Sequence, residues 1–289
     1  MLDTYLAPAK INLGLEVLYK RPDGYHEINT LFLRIPEPHD TISVTRAGYF
    51  QLTCSDETLP TDSRNLMMRA AEAFSHLAGV PLPRIHIHLK KNIPIGAGLG
   101  GGSSDAAAML HILKDWYAFE HKANAASIIE HGELLKLAAK LGADVPFFFI
   151  GANAAQASGI GEKLLPMDIQ LGASMLVVFD PNIQVSTRDA YASLSPNAEP
   201  LALDYIKLFA NAVPLAKWKE QLHNDFEPET FRQFPRLAEI KHSLYAHGAR
   251  FALMSGSGSS IYGLFEDRDA AKESRSFFEQ QGQLAFLSE

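Results

Sequence analysis

Cysteine is almost absent from this chain of 289 residues, in which Cys54 is the only one. A single thiol excludes an internal disulfide and a cysteine-rich metal site, because both need at least two cysteines. Disulfides belong to oxidising compartments and are rare in the reducing cytoplasm. We therefore expect a cytoplasmic protein.

Long hydrophobic runs are also lacking. The longest, at 145–150 and 175–179, are far shorter than the roughly 20 apolar residues that span a bilayer. The N-terminus shows neither the basic start nor the apolar core of a signal peptide. These features predict a protein without a membrane partner.

Positive charge is the scarcer sign, since 26 Lys and Arg residues oppose 33 Asp and Glu residues and the net charge is -7. This balance argues against a protein that coats nucleic acid. It still allows a small anionic ligand wherever cations cluster locally. The candidates for such a cluster are Lys10, Lys20, Arg21, Lys90 and Lys91.

Glycine, by contrast, is concentrated in one segment. Residues 94–106 read PIGAGLGGGSSDA, with five glycines at 96–102. Without a Cβ, such a backbone can wrap closely around an anion and direct several N–H groups at it. Residues 85–89 alternate as a strand does, and the apolar residues after the loop recur at helical spacing. Strand, glycine loop and helix together predict a site for a polyphosphate.

Three other interpretations of this loop are weaker. Its Gly-x-Gly-x-x-Gly spacing fits a dinucleotide site, which also needs a second strand ending in an acid about 20 residues on. Glu120 lies near that distance, but no strand pattern leads to it. The ATPase phosphate loop needs Lys and then Ser or Thr after its last glycine, whereas Ser103 follows Gly102. A flexible linker would not run directly into an amphipathic helix.

The remaining pattern mixes strands and helices and predicts an α+β fold in two domains, 1–163 and 164–289. Strands are predicted at 8–15, 41–45, 50–54, 85–89, 175–179, 251–254, 260–265 and 284–287, with 50–54 paired to 41–45. Helices are predicted at 65–77, 133–141, 189–194, 201–209, 236–247 and 269–280. The helix at 65–77 is expected to begin at the caps Asp62 and Ser63 and to end near Gly79.

Two segments contain candidate catalytic groups. Lys10 and Asn12 fall on one face of the first strand, where they could hold a phosphoryl group or orient a hydroxyl. The alternative is an ordinary solvated strand face. Asp144 follows a helix that stops at Gly142, and it is either a base for a hydroxyl nucleophile or an N-cap residue.

Two further segments could contact a ligand. Tyr25 and His26 follow a Pro-Asp-Gly turn, so they are either the tip of a hairpin or a ring and a hydrogen-bonding group for a planar base. Residues 255–260 read SGSGSS between two predicted strands. This position favours a second glycine loop that approaches a ligand or the first domain over a linker.

Three motifs, at 8–12, 94–106 and 254–260, resemble those of the GHMP kinase superfamily and occur in the same order. Within it, the likeness is greatest to kinases of a cytidine-diphosphate-linked methylerythritol and covers nearly the whole chain. Its most specific parts are residues 24–26, 100–104 and 141–146. The mevalonate and homoserine kinases of the superfamily usually have a shorter loop and lack the Gly-Tyr-His element.

The resemblance implies the two-domain GHMP kinase fold, with an N-terminal domain similar to a ribosomal-protein domain and a ferredoxin-like C-terminal domain. It implies that ATP, with Mg²⁺, phosphorylates the 2-hydroxyl of the cytidyl substrate in the non-mevalonate isoprenoid pathway. We expect a monomer or weak homodimer. A mevalonate or homoserine type of kinase and a non-catalytic nucleotide- or RNA-binding module remain as alternatives.

The resemblance also implies a role for each matching residue. Asp144 looks like the catalytic base and Lys10 its partner. The residues similar to those that contact the acceptor substrate are Asn12, Tyr25, His26, Thr187 and Tyr191. Those similar to ATP-binding residues are Asn65, Pro94, Gly96, Ala97, Gly98, Leu99, Gly100, Gly101, Gly102, Ser103, Ser104, Gly256 and Gly258. Ser104 is also the candidate ligand for the metal.

Overall fold

A computed structural model describes residues 3–120, 129–194, 202–210 and 213–288. The chain forms two compact units that alternate along the sequence. The first contains residues 1–9, 38–93 and 100–151, and the second contains 10–37, 94–99 and 152–289. The predicted domains, 1–163 and 164–289, are each one continuous segment and therefore do not correspond to these two interleaved units. The predicted boundary between them stays a prediction.

The first unit has a sheet in which β4 (Ile85–Lys90) is the central strand. On one side it pairs antiparallel with residues 41–46 of β2 (His26–Arg46), and on the other it pairs parallel with β3 (Gln51–Cys54). Its helices are α1 (Leu66–Ala78), α2 (Gly101–Glu120), α3 (His131–Leu141) and α4 (Val145–Ile150).

The expected pairing of residues 50–54 with 41–45 is therefore wrong, although both segments are strands. β4 lies between them, and β3 runs parallel to β4. A parallel pair needs a long crossover, which α1 supplies. Alternation along a strand identifies its faces but contains no information on which neighbour it pairs with.

Asn65 is the N-cap of α1, not the expected Asp62 or Ser63. The Asn65 backbone is extended, and its Oδ1 accepts a hydrogen bond of 2.9 Å from the N–H of Met67. Asp62 is instead paired with Arg64. The predicted end is confirmed, because Gly79 has the left-handed conformation that commonly terminates helices.

The second unit has a four-stranded antiparallel sheet in the order β10 (Leu284–Ser288), β7 (Ser174–Phe179), β9 (Ile261–Phe265), β8 (Phe251–Met254). All four strands are confirmed predictions. Its helices are α5 (Thr187–Ala192), α6 (Tyr205–Ala210), α7 (Glu227–Gln233), α8 (Pro235–Ala246), α9 (Arg268–Gln280) and a 3₁₀ helix (Leu215–Glu220). Position 201 of the predicted helix 201–209 lies outside the described residues. Apolar side chains from this sheet, α8 and α9 form one buried core, and the partly buried Phe231 of α7 packs against it.

The second unit also contains residues 10–20 of β1 (Asp3–Lys20), which pairs with β2. Residues 30–33 of β2 pair with β5 (Ala154–Ser158), which pairs with β6 (Lys163–Met167). The predicted strand at 8–15 is thus the middle of a longer one. No helix in the described ranges is both long and apolar enough to cross a membrane.

Candidate active site

The glycine loop between β4 and α2 has a backbone that requires glycine. Gly96, Gly98 and Gly100 have φ angles of 70°, 76° and 71°, a region in which residues with a Cβ are strained. Apart from the adjacent residues and the backbone of α2 itself, no described atom lies within 4 Å of where a Cβ would be on Gly96 or Gly102. This open space at the start of a 20-residue helix suits an anionic ligand.

Two residues of the loop point inward. The side chains of Ala97 and Leu99 are buried, at 2% and 1% exposure, whereas Ile95 is 47% exposed. The carbonyl of Leu99 accepts a hydrogen bond of 3.0 Å from the N–H of Lys10. Ala97 and Leu99 therefore anchor the loop, and only their backbone is available to a ligand.

The second glycine loop, residues 255–260, packs directly on this first loop. Ser255 Oγ donates a hydrogen bond of 2.9 Å to the carbonyl of Gly98, and the N–H of Ser260 donates one of 3.1 Å to the carbonyl of Ala97. A Cβ on Gly98 would lie 2.1 Å from the carbonyl oxygen of Ser255. Gly256 and Gly258, with φ of 58° and 92°, shape this turn.

Lys10 and Asn12 lie next to each other, as predicted for one strand face. Lys10 Nζ donates a hydrogen bond of 2.7 Å to Asn12 Oδ1. Their exposed fractions are 4% and 1%, so the alternative of a solvated face is wrong. A Cβ on Gly256 would be 3.5 Å from Asn12 Oδ1, which places this pair beside the second glycine loop.

Thr30 and Asn224 belong to this arrangement and were missed by the sequence interpretation. Thr30 Oγ1 accepts a hydrogen bond of 2.8 Å from Asn12 Nδ2. Asn224 is 2% exposed, and its Nδ2 donates hydrogen bonds of 2.8 Å to the carbonyls of Met254 and Gly256. Neither residue lies in a recognisable motif, because each meets its partner only through the fold.

His26 and Tyr191 are brought together by the fold. Their rings stack with centroids 5.1 Å apart, and Tyr191 also meets Phe226 edge-on at 4.9 Å. Tyr25 is 61% exposed. Burial and, to a lesser extent, the charge of Lys20 lower the pKa of His26. A neutral His26 can both donate and accept a hydrogen bond.

Thr187 begins α5, the helix that also contains Tyr191. Its Oγ1 lies 2.8 Å from Ser257 Oγ in a hydrogen bond. The residue expected to touch substrate is thus bonded to the second glycine loop.

Asp144 occupies the N-cap position of α4, but its side chain makes no capping hydrogen bond there. The alternative of a simple cap therefore does not account for the carboxylate. A Cβ on Gly142 would lie 3.9 Å from Ser103 Oγ, so the turn before Asp144 is close to the first turn of α2. Lys10 belongs to the second unit and Asp144 to the first, and their partnership stays a prediction.

Asn65 and two of the candidate cations are already engaged. The Asn65 amide caps α1, and its Nδ2 donates to the carbonyl of Pro60. Arg21 pairs with Asp23 and Glu27. Lys91 is buried between two aspartates. Arg21 and Lys91 are therefore neutralised by their own carboxylate partners, and they do not contribute to the cluster of cations that was expected to attract an anionic ligand.

Ser104 and Asp105 are buried in the first turn of α2. Ser104 Oγ and Asp105 Oδ1 have no hydrogen-bond partner among the described residues. Burial raises the pKa of Asp105 to about 7, although Lys91 acts in the opposite direction.

The donor set permits only one kind of magnesium site. In the described ranges, no group of three or more His, Cys, Asp and Glu side chains could hold a metal ion. Mg²⁺ usually keeps several waters and binds through one or two protein ligands plus substrate phosphates. The unpartnered hydroxyl of Ser104 fits such a single ligand.

Comparisons with known proteins identify relatives of this chain. Models of the N-terminal and C-terminal domains of GHMP kinases match residues 65–152 and 206–283. The 4-diphosphocytidyl-2-C-methyl-D-erythritol kinase of Solidesulfovibrio magneticus is 41% identical over 97% of this chain and 94% of its own. A crystal structure of 4-(cytidine 5'-diphospho)-2C-methyl-D-erythritol kinase has a TM-score of 0.79 and 36% identity, covering 99% and 100% of the two chains. A homoserine kinase from Cytophaga hutchinsonii, at 17% identity and a TM-score of 0.68 over 100% and 94%, shares the fold.

Proposed function

Because this chain belongs to the GHMP kinase family, with 4-diphosphocytidyl-2-C-methyl-D-erythritol kinases as its full-length relatives, we propose that it phosphorylates the 2-hydroxyl of that cytidyl substrate with ATP. This reaction belongs to the non-mevalonate isoprenoid pathway. The observation on which the proposal rests is the convergence of Lys10, Asn12 and residues 97–98 and 255–260 in one compact unit.

The glycine loop is the proposed binding site for the triphosphate. In phosphoryl transfer most of the catalysis comes from positioning and charge stabilisation. The backbone N–H groups of 96–102 and the start of α2 supply positive potential without mobile side chains. Ser104 is the residue proposed to hold Mg²⁺, which would neutralise negative charge on the phosphates of ATP.

Lys10 and Asp144 are the proposed catalytic residues. Asp144 accepts the proton of the acceptor hydroxyl, as a carboxylate acting as general base does. Lys10 stabilises the negative charge near the reacting oxygen. Its ammonium is oriented by Asn12, which in turn is held by Thr30.

The cytidine end of the acceptor is proposed to bind at Tyr25, His26 and Tyr191. The exposed ring of Tyr25 supplies a stacking surface, and a neutral His26 supplies a donor and an acceptor for a base edge. Tyr191 supports His26 by stacking on it.

A cytoplasmic location and a monomer or weak homodimer also stay proposals, the first supported by the single cysteine. Membership of this kinase family supports a small molecule as the acceptor of the phosphate.

The proposal is tested by assaying the purified protein with ATP and each of three acceptors, the cytidyl substrate, mevalonate and homoserine. We expect phosphorylation of the cytidyl substrate, detected as a product heavier by one phosphate. A higher kcat/KM with mevalonate or homoserine would contradict it. ADP formation that needs no acceptor would contradict it as well.

A further inference from the structure

A buried charge cluster joins the two ends of the glycine loop. Lys91 lies just before the loop and Asp105 just after it, and Lys91 Nζ donates a hydrogen bond of 2.8 Å to Asp105 Oδ2. Lys91 Nζ also donates to Asp40 Oδ2. The side chains of Lys91, Asp40 and Asp105 are only 7%, 0% and 5% exposed.

Asp40 extends this cluster to the backbone at the start of the loop. Its Oδ1 accepts hydrogen bonds of 2.6 Å and 2.8 Å from the N–H groups of Asn92 and Ile93. The segment 91–93 is therefore tied to β2 by its backbone and to α2 by the Lys91 side chain.

Gly101, at the far end of the loop, also lies close to Lys91 and Ile93. A Cβ on Gly101 would lie 2.9 Å from Lys91 Nζ and 2.9 Å from Ile93 Cγ2. The first residue of α2 is thus packed against the residues that precede the loop. A larger residue at 101 would push the two ends of the loop apart.

A cluster of this kind is a poor way to gain stability alone. Removing ions from water is costly, and apolar side chains of similar volume often stabilise a protein as well or better. What an ion cluster provides is a defined geometry, since each charge is placed by its partners. That geometry is imposed here on a loop whose proposed task is to aim a phosphate.

We propose that Lys91, bridging Asp40 and Asp105, is a positioning residue that sets the spacing of the two ends of the glycine loop for binding of ATP. The inference rests on the proposed function, because it takes the loop to bind ATP. Lys91 does this from inside the protein, through the backbone that it holds. Its loss is therefore expected to weaken ATP binding and to spare binding of the acceptor.

The decisive variant is the double substitution Lys91→Met with Asp105→Asn. This variant removes the Lys91 ammonium and the Asp105 carboxyl together, so neither group is left in the interior without the other. Asp40 keeps its two backbone donors. A misplacement of 1 Å can cost about 10²-fold in rate, so we expect kcat/KM for ATP to fall by about tenfold or more, mainly through KM, with KM for the acceptor unchanged. Amide hydrogen exchange at residues 96–102 should become faster.

Two variants serve as controls. Asp105→Asn alone keeps an oxygen that can accept from Lys91, so it should retain the KM for ATP of the wild type. Tyr117→Phe removes a partly buried hydrogen bond from the other end of α2 to the carbonyl of Pro81. It should lower the melting temperature without changing KM for ATP.

Several results would overturn the inference. One is a folded double variant with a wild-type KM for ATP, even if its melting temperature is reduced. Another is an equal change of KM in Tyr117→Phe. If the double variant does not fold, amide hydrogen exchange in the wild type is the deciding measurement. The amides of Asn92 and Ile93, which donate to Asp40, must exchange more slowly than the amide of the exposed Ile95. Equal exchange rates would refute the cluster. A wild type without kinase activity would instead refute the proposed function.

Discussion

Ser255 Oγ donates a hydrogen bond to the carbonyl oxygen of Gly98, and these two residues approach so closely that only a glycine at 98 can be accommodated. We expect Gly98→Ala to destabilise the protein by more than the ~1–2 kcal/mol that a left-handed backbone alone costs a residue with a Cβ. Chemical denaturation measures this loss. Gly102→Ala is the matched control, since no described atom lies near its Cβ position. It should keep wild-type stability and raise KM for ATP, and a stable Gly98→Ala protein would contradict the packing.

Asp144→Asn tests the proposed base. We expect kcat to fall by a factor of about 10² or more, since general-base groups contribute 10²–10⁴. A fall in kcat that exceeds any change in melting temperature is the expected signature of a group that acts in the chemistry. Asp267→Asn is the control, as Asp267 does cap α9 by accepting from the N–H groups of Asp269 and Ala270. Any change it causes should be in melting temperature alone. Normal turnover by Asp144→Asn would remove this residue from the chemistry.

Tyr25→Ala tests recognition of the cytidine base. Because Tyr25 is 61% exposed, its loss should leave the melting temperature unchanged. We expect KM for the acceptor to rise about tenfold, the value of one stacking contact, while KM for ATP stays the same. Tyr49→Ala, at a tyrosine that is 67% exposed, is the control and should change neither constant. Equal changes in both constants of Tyr25→Ala would argue against stacking.

Thr30→Val tests whether Asn12 must be held in place. Valine has nearly the shape of threonine but cannot accept the hydrogen bond from Asn12 Nδ2. The Thr30 hydroxyl also donates to the carbonyl of Gly14, so two groups lose a partner. We expect a loss of stability of about 1–3 kcal/mol for each, together with a lower kcat. Thr30→Ser keeps the hydroxyl and should recover most of kcat. Thermal melts and steady-state kinetics on both variants would show whether rescue occurs, and failure of serine to rescue would count against a hydrogen-bonding role.

The pKa of His26 predicts how acceptor binding depends on pH. Burial lowers that pKa below its ordinary value of 6.5, so the neutral ring persists to a lower pH than in an ordinary histidine. A protonated ring can no longer accept a hydrogen bond. KM for the acceptor should therefore rise as the pH falls, with a midpoint below pH 6.5. His26→Gln should abolish the rise, and a midpoint above pH 6.5 would contradict a lowered pKa.

Local structure followed from contiguous residues. The glycine loop, the strand before it and the helix after it were predictable because five glycines, a period-two pattern and a helical pattern each lie within a short segment. The same holds for Lys10 and Asn12, since alternation along β1 puts them on one face whatever the rest of the chain does.

Tertiary structure decided which residues that are distant along the chain contact each other. Asn224 supports the second glycine loop, Thr30 orients Asn12, and Asp40 ties down the start of the first loop, yet none lies in the motif it serves. Hydrogen-bond partners and strand neighbours that are distant along the chain are chosen by packing of the whole fold, and a linear pattern contains no record of that choice. For this reason the sequence alone determined the elements and the chemistry of their residues, whereas burial of Lys91 between two carboxylates and the parallel pairing of β3 with β4 were visible only in three dimensions.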